Sequence, residues 1–287
     1  MQNKLHIYNT LSRKKELFKP TGFTLGPFTI HYNGIVIVLG ILIAMIIVKK
    51  EAARRNKTLD FLIDALPWIF LGGVVGARLW HILTPPQSMV AHGITTRYYL
   101  THLYEAIAIW KGGAGIFGAV IGGTAALSIF AKIKGEPVSI WLDNIAPGLA
   151  LAQAVGRWGN FINQEVYGLP SNLPWAINID VQHRLPGFEN VDTYHPLFFY
   201  EALWSVLNMI LLLWVSRKFQ NQMRTGNLFL IYLIVYGIGR VGLEFLRLDI
   251  SSFKGININQ AFMAVIVLAA GVIFSLRQKT KPVEAIN

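Results

Sequence analysis

The sequence predicts an all-α integral membrane protein of about seven transmembrane helices with a small extracytoplasmic cap. Three observations carry this. Hydrophobic residues make up 53% of the 287 residues and mean hydropathy is +0.45, too apolar for an ordinary soluble chain. Seven apolar segments approach or reach the roughly 20 residues that cross a bilayer. None alternates with a period of two, and a backbone in lipid must satisfy its own hydrogen bonds, so each segment is expected to be a helix.

In chain order the expected spans are Ile30–Val48, Phe61–Leu83, Gly112–Ala131, Ile140–Ile162, Pro196–Ser216, Leu228–Leu246 and Ile258–Leu276. The third and fourth are rich in Gly and Ala. Gly72/Gly76 and Gly118/Gly122 have the GxxxG spacing that lets helices approach closely. Residues 1–29 form an extracytoplasmic N-terminal tail, residues 30–277 the transmembrane catalytic domain, and residues 278–287 a cytoplasmic tail. The connection 163–195, with its prolines and glycines, is the cap.

Net charge is +11. In a bilayer this excess sets topology and meets anionic lipid, so nucleic acid is not the expected partner. Lys49, Lys50, Arg54, Arg55 and Lys57 fill the first connection. Lys132 and Lys134, then Arg217, Lys218 and Arg224, then Arg277, Lys279 and Lys281 fall on the same side. The opposite connections are poorer, with Arg97, Arg184, Arg247 and Lys254. The positive-inside rule places the N-terminus outside and the C-terminus in the cytoplasm. Lys4, Arg13, Lys14, Lys15 and Lys19 in the N-terminal tail pull the other way. The chain has no cysteine, which excludes thiolate metal sites and a cysteine nucleophile of its own. No metal-binding spacing, P-loop or dinucleotide fingerprint occurs, so neither metal nor cofactor is expected.

Polar residues inside the apolar segments are the functional signal, because an arginine at the centre of a membrane helix costs about 2.5–3.5 kcal/mol. The run Gly156–Gly168 brings Arg157, Asn160, Asn163, Gln164 and Glu165 to the end of the fourth span. Arg157, Asn160 and Gln164 share a face if the helix continues that far. Arg157 either pairs structurally with Glu165 or Asp143, or offers a phosphodiester two parallel N–H bonds. In the sixth span Tyr232, Tyr236, Arg240, Glu244 and Arg247 form one stripe. It is either an Arg240–Glu244 packing pair or a second cationic site. Arg78 is a third clamp member or a snorkelling residue. His195 is an interfacial acid/base group or a structural histidine.

These residues carry a resemblance. The stretch Gly156-Arg157-Trp158-Gly159-Asn160-Phe161-Ile162-Asn163-Gln164-Glu165, closed by Gly168, resembles the signature of bacterial prolipoprotein diacylglyceryl transferases. Further pieces follow in the family's order: Gly26-Pro27 and His31, Gly76-Ala77-Arg78, Trp110-Lys111-Gly112-Gly113, Asp143 with Ala146-Pro147, His195-Pro196 with Tyr200-Glu201, and Tyr236-Gly237 with Arg240 and Glu244-Phe245-Arg247. Two positions depart from it. Many members carry His where this chain has Phe117, and Tyr where it has Asn33.

The resemblance implies a transferase of the bacterial plasma membrane, working on its outer side. Its substrates are phosphatidylglycerol and the lipobox cysteine thiol of a preprolipoprotein, and glycerol phosphate leaves. Arg157, Asn160, Asn163, Glu165, Gly168, Arg240, Glu244 and Arg78 are the expected phosphatidylglycerol contacts. Arg157, Arg240, Tyr236, Glu165 and His195 are the expected catalytic set. Two other readings are an inactive phosphatidylglycerol-binding relative and an anion or solute transporter. The absence of an inverted repeat speaks against the transporter.

Overall fold

A computed structural model describes residues 6–9, 14–17, 22–25, 28–109, 112–113, 115–220, 222–253 and 255–279. Gly26, Pro27, Trp110, Lys111, Lys254 and nearly all of the C-terminal tail lie outside the described residues. Seven helices are long and apolar enough to span a membrane: α1 (Tyr32–Arg54), α2 (Asp60–Leu83), α6 (Ile116–Lys134), α7 (Val138–Ile162), α8 (Leu197–Lys218), α9 (Asn227–Leu243) and α10 (Ile258–Lys279). Three short helices, α3 (Gln87–Ala91), α4 (Thr96–Thr101) and α5 (Leu103–Ile107), fill the connection between α2 and α6.

The spans agree with the sequence reading and their ends do not, for local reasons. The first begins two residues late because β4 (Phe28–His31) pairs antiparallel with β3 (Gly22–Leu25). It then runs on through charged Lys49, Lys50 and Glu51 to Arg54, since a helix need not stop where apolarity does. The third starts at Ile116 because Gly112 and Gly113 have φ of 86° and 78°. It stops at Gly135, whose φ of 69° gives the left-handed C-terminal turn that glycine adopts without cost. The sixth ends as a helix at Leu243 and tightens into a 3₁₀ turn over Glu244–Leu246. The N-terminal tail also holds β1 (His6–Asn9) paired with β2 (Lys14–Leu17), a hairpin that composition did not announce.

Glycine sets the closest helix contact. The GxxxG pairs of α2 and α6 face each other: a Cβ on Gly76 would strike the carbonyl of Gly118, and one on Gly122 the carbonyl of Gly72. α1 lies against α7 in the same manner, where a Cβ on Gly148 would come within 2.9 Å of the Ala44 carbonyl oxygen. The cap has its own small core of Tyr167, Ile179 and Tyr194, with a ladder between β5 (Ile177–Asn178) and β6 (Thr193–Tyr194). β7 (Ser252–Phe253) and β8 (Ile256–Asn257) turn the chain into α10.

α7, α8 and α9 form the polar centre of the bundle. Leaving aside Glu201 Oε2, which is ion-paired, nine buried side-chain atoms have no hydrogen-bond partner among the described residues. They belong to Asn144, Gln153, Asn208, Asn227, Tyr232, Tyr236 and Arg240, all on these three helices. At about 1–3 kcal/mol for each polar atom left unpaired, a dry seam would cost about 10–25 kcal/mol. That matches or exceeds the roughly 5–15 kcal/mol that holds a typical protein folded.

Placing leucine at Gly118 should separate α2 from α6 and lower stability by at least about 1–3 kcal/mol, the usual penalty for overpacking. Gly271→Ala on α10, where a Cβ meets nothing within 4 Å, should be neutral or slightly stabilising. Thermal unfolding in detergent compares the two. Equal melting temperatures would show that the glycine contact does not matter.

Candidate active site

The site is built around one carboxylate. Glu201 lies on the first turns of α8, in an apolar run, with only 3% of its side chain exposed. Its Oε2 is 2.5 Å from Arg157 Nη2, on α7. Its Oε1 accepts a hydrogen bond from Arg240 Nη1, on α9. A buried acid shared by two arginines draws three helices to one point. Arg240 also donates through Nη2 to Glu244 Oε2 at 2.9 Å, one turn on. Glu244 Oε1 in turn accepts from Asn257 Nδ2 at 3.3 Å. Arg157 Nη1 donates forward to Asn160 Oδ1 at 3.5 Å, the i, i+3 contact that the spacing implies.

The face of Arg240 rests on an aromatic ring. Its Cζ lies 5.5 Å from the centre of Phe117, inside cation–π range. Phe117 is buried, packed edge-on with Trp80 at 5.5 Å and tilted against Phe262 at 6.0 Å. Arg247 joins the cluster electrostatically. Burial lowers its pKa and so does Arg240, while Glu244 and Glu201 oppose the shift. Of its side chain, Nε donates to the Asp249 carbonyl at 3.0 Å. Three arginines against two glutamates leave the cluster with one net positive charge. Beside it, Arg157, Glu201, Trp204, Ser205, Tyr236, Gly239, Arg240 and Leu243 line a cavity of about 10 Å³, room for about one water.

The remaining sequence candidates are distributed around this cluster. Tyr236 lines the cavity; its hydroxyl has no partner among the described residues, and its ring stacks on Tyr232 at 5.7 Å. Glu165 is exposed just past the end of α7 and accepts from Asn163 Nδ2 at 3.4 Å. Gly168 is a structural joint: its N–H donates to the His195 carbonyl at 2.9 Å, it bridges Arg247, and a Cβ there would lie 2.8 Å from the Leu246 carbonyl oxygen. His195 is half-buried at that joint, with Nδ1 3.4 Å from the Tyr200 hydroxyl.

Three expectations need correction. Gln164 does not continue the Arg157 face, because α7 ends at Ile162 and Gln164 has φ of 53°. It turns instead to Asp180, accepting from its backbone N–H at 2.7 Å. Asp143 is not the partner of Arg157. It stands about 20 Å away along α7 and caps the start of α9, accepting from the N–H groups of Gly226 and Phe229 at 2.7 and 2.9 Å. Arg78 is neither seen in the clamp nor snorkelling. It is buried, and its guanidinium donates to the carbonyls of Glu105, Ala106, Gly112 and Gly113, tying the α3–α5 connection to α2.

Two members of the cluster, Glu201 and Arg247, lie outside the site set expected from the sequence. Glu201 carried a signal that can be stated: an acid within LFFYEALWSVL requires a cation from another helix. Arg247 stood on the polar stripe of the sixth span, yet its position past the helix end placed it among the loop charges.

A multi-pass membrane protein with a net-positive polar site inside its helix bundle is the class this geometry defines. Comparison with known proteins narrows it. The family profile described as prolipoprotein diacylglyceryl transferase matches residues 20–276. The phosphatidylglycerol–prolipoprotein diacylglyceryl transferase of Trichormus variabilis is 37% identical over 233 residues, covering 80% of this chain and 79% of its own. Those of Synechococcus elongatus and Thermosynechococcus vestitus are each 35% identical, over 88% and 92% of this chain and 85% and 96% of their own. The chain belongs to the prolipoprotein diacylglyceryl transferase family.

Replacing Phe117 by leucine removes the ring under Arg240 and keeps the apolar volume. A cation–π contact of about 0.5–2 kcal/mol corresponds to a roughly 2- to 30-fold loss of turnover. Phe117→Tyr should restore most of it. If leucine and tyrosine variants turn over alike, the ring does not position Arg240.

Proposed function

We propose that Arg157, Arg240 and Arg247 hold the phosphate of phosphatidylglycerol while its diacylglyceryl group passes to the cysteine thiol of a prolipoprotein. The observation that carries this is the Glu201 carboxylate shared by Arg157 and Arg240. It is an anion already seated where a phosphodiester would bind, in a cluster with one positive charge left over. A phosphodiester brings one negative charge and two acceptor oxygens suited to guanidinium forks. The neighbouring cavity holds about one water, so the headgroup enters by exchange: phosphate oxygens take Arg157 from Glu201, and the site opens around them.

The client thiolate then attacks the glyceryl carbon that carries the phosphate. A C–S bond forms, the C–O bond breaks, and its electron pair stays on the departing glycerol phosphate. The arginines stabilise the charge that grows there, the kind of interaction that usually dominates catalysis. A thiol ionises near pKa 8.5 unaided, and a positive site lowers this. Its proton is taken up by the departing phosphate monoester, whose second pKa lies near 6, or by water, so Phe117 leaves no gap in the chemistry. Tyr236 hydrogen-bonds the headgroup from inside the cavity. Asn160, Asn163 and Glu165 contact the glycerol hydroxyls at the mouth. Glu244 orients Arg240. Gly168 and His195 hold the wall between cap and bundle.

The reading places the protein in the bacterial inner membrane with the N-terminus outside and the C-terminus in the cytoplasm. The support is the charge of the connections: Lys49 to Lys57, Lys132, Lys134, Arg217 and Lys218 lie at one end of the bundle. The clients are preprolipoproteins presenting a lipobox cysteine, and no metal or organic cofactor takes part.

The test is a transfer assay with purified protein, phosphatidylglycerol and a lipobox peptide, read as glycerol phosphate release. Wild type should turn over, and Arg157→Ala should lose at least about a hundredfold in rate. Near-normal turnover by Arg157→Ala would overturn the mechanism. Phosphatidylglycerol binding with no turnover in the wild type would mark a binding protein instead.

A further inference from the structure

The last turns of α8 carry a groove on the side that faces away from the bundle. Ile210, Leu213, Trp214, Arg217 and Lys218 line it, around an open volume of about 600 Å³. Their spacing of three and four residues puts them on one helix face. Ile210 and Trp214 are half-exposed, and Arg217 and Lys218 are exposed. On the opposite face Leu212, Val215 and Ser216 are buried. The groove is thus apolar along its length and cationic at the end where α8 stops. Trp214 stands about 20 Å along the helix from Glu201, so the groove is separate from the arginine cluster.

Membrane topology and the carbonyls at a helix C-terminus account for two cations here. They do not account for cations left without a carboxylate beside an apolar groove. The other connections on this side answer part of their charge: Arg54 lies 3.2 Å from Glu51, and Lys57 2.7 Å from Glu136. No acidic residue occurs between Glu201 and Glu244, and neither Arg217 nor Lys218 forms an ion pair among the described residues. Lys218 is also held in place. Its Nζ lies 4.8 Å from the centre of the Trp214 ring and 5.7 Å from that of Phe219, within cation–π range. The two rings meet edge-on at 5.9 Å. An ammonium fixed on an indole at the end of an apolar face marks the level of lipid headgroups. Arg217, one position earlier, adds a planar fork suited to a phosphate.

We propose that this groove binds one anionic phospholipid, from the leaflet on the side of the charged connections. An acyl chain lies along Ile210, Leu213 and Trp214, and the phosphate meets Arg217 and Lys218. A zwitterionic lipid brings the same chain but no net charge to the two cations; an anionic headgroup brings the charge they lack. Attraction of basic residues to anionic lipid is strongest at the membrane surface, where these two stand. The lipid covers the outside of α8 along the stretch whose inner face donates through Ser216 Oγ to Glu51 at 2.8 Å. It steadies the helix that carries Glu201 at its other end.

Trp214 reports on the groove directly, because bromine on an acyl chain quenches an indole that it touches. The full-length protein is reconstituted in phosphatidylcholine, with increasing fractions of acyl-brominated phosphatidylglycerol or acyl-brominated phosphatidylcholine. The Trp214 signal is the difference between wild type and Trp214→Phe, which cancels the rest of the eight tryptophans. Brominated phosphatidylglycerol should quench that signal at a several-fold lower fraction than brominated phosphatidylcholine. Two basic residues at a membrane surface bound this preference at about 30-fold. Arg217→Gln with Lys218→Gln, measured with and without Trp214→Phe, should abolish the preference. Arg217→Lys with Lys218→Arg keeps the charge and should keep it. Equal quenching by the two lipids in the wild type overturns the proposal, as does a preference that survives the glutamine pair or is lost in the charge-preserving pair. Quenching by neither lipid would mean that protein, such as a second copy of the chain, covers the groove, and overturns it too.

Discussion

Two arginines cannot sit side by side in the core of a membrane bundle unless something holds their charges apart and their helices together. Glu201 does both. One oxygen meets Arg157 and the other Arg240, so α7, α8 and α9 converge on a single carboxylate. Removing a partner from a buried ionic group is costly because the rest is left charged and unpaired. The registry of the three helices therefore follows from this point. Asp143 repeats the device at the opposite end, gathering the N-terminal N–H groups of α9 onto α7. The seam between these two fixed ends is where the unsatisfied polar atoms collect.

The rest of the molecule frames that bundle. α2 and α6 press together through glycines that admit no side chain, which leaves Phe117, one residue before Gly118, fixed in the wall beneath Arg240. Arg78 spends its donors on backbone carbonyls of the connection that follows α2. A glycine contact and an arginine bound to backbone carbonyls thus reach the site indirectly, by fixing what stands next to it.

How much of this the sequence revealed depends on whether each interaction is local. Seven spans are legible because lipid leaves the backbone no alternative to helix, and the facing of the two GxxxG pairs follows once they are close. Arg157 with Asn160 and Arg240 with Glu244 are readable because i, i+3 and i, i+4 are distances within one helix. Glu201 is different. Its partners lie on two other helices, and nothing in the spacing of one helix names a residue on another. Gln164 misled because periodicity does not show where a helix stops, and a left-handed residue two positions past Ile162 turns the side chain toward the cap. Arg78 misled for the converse reason: carbonyl partners have no signature in sequence.

The neutrality of Phe117 bears on the charge of the site. Arg240 already has carboxylates in its plane on two sides, and a third charged neighbour would change the balance that a phosphodiester has to meet. A protonated imidazole under the guanidinium would add a positive charge and repel it. A carboxylate would cancel the one positive charge left over. An aromatic face supports the cation with its quadrupole and leaves the net charge unchanged. It also stays the same at every pH at which the arginines are charged. A site that ionises a thiol by its potential needs that potential to be constant, and a residue that does not titrate, packed against the arginine, keeps it so.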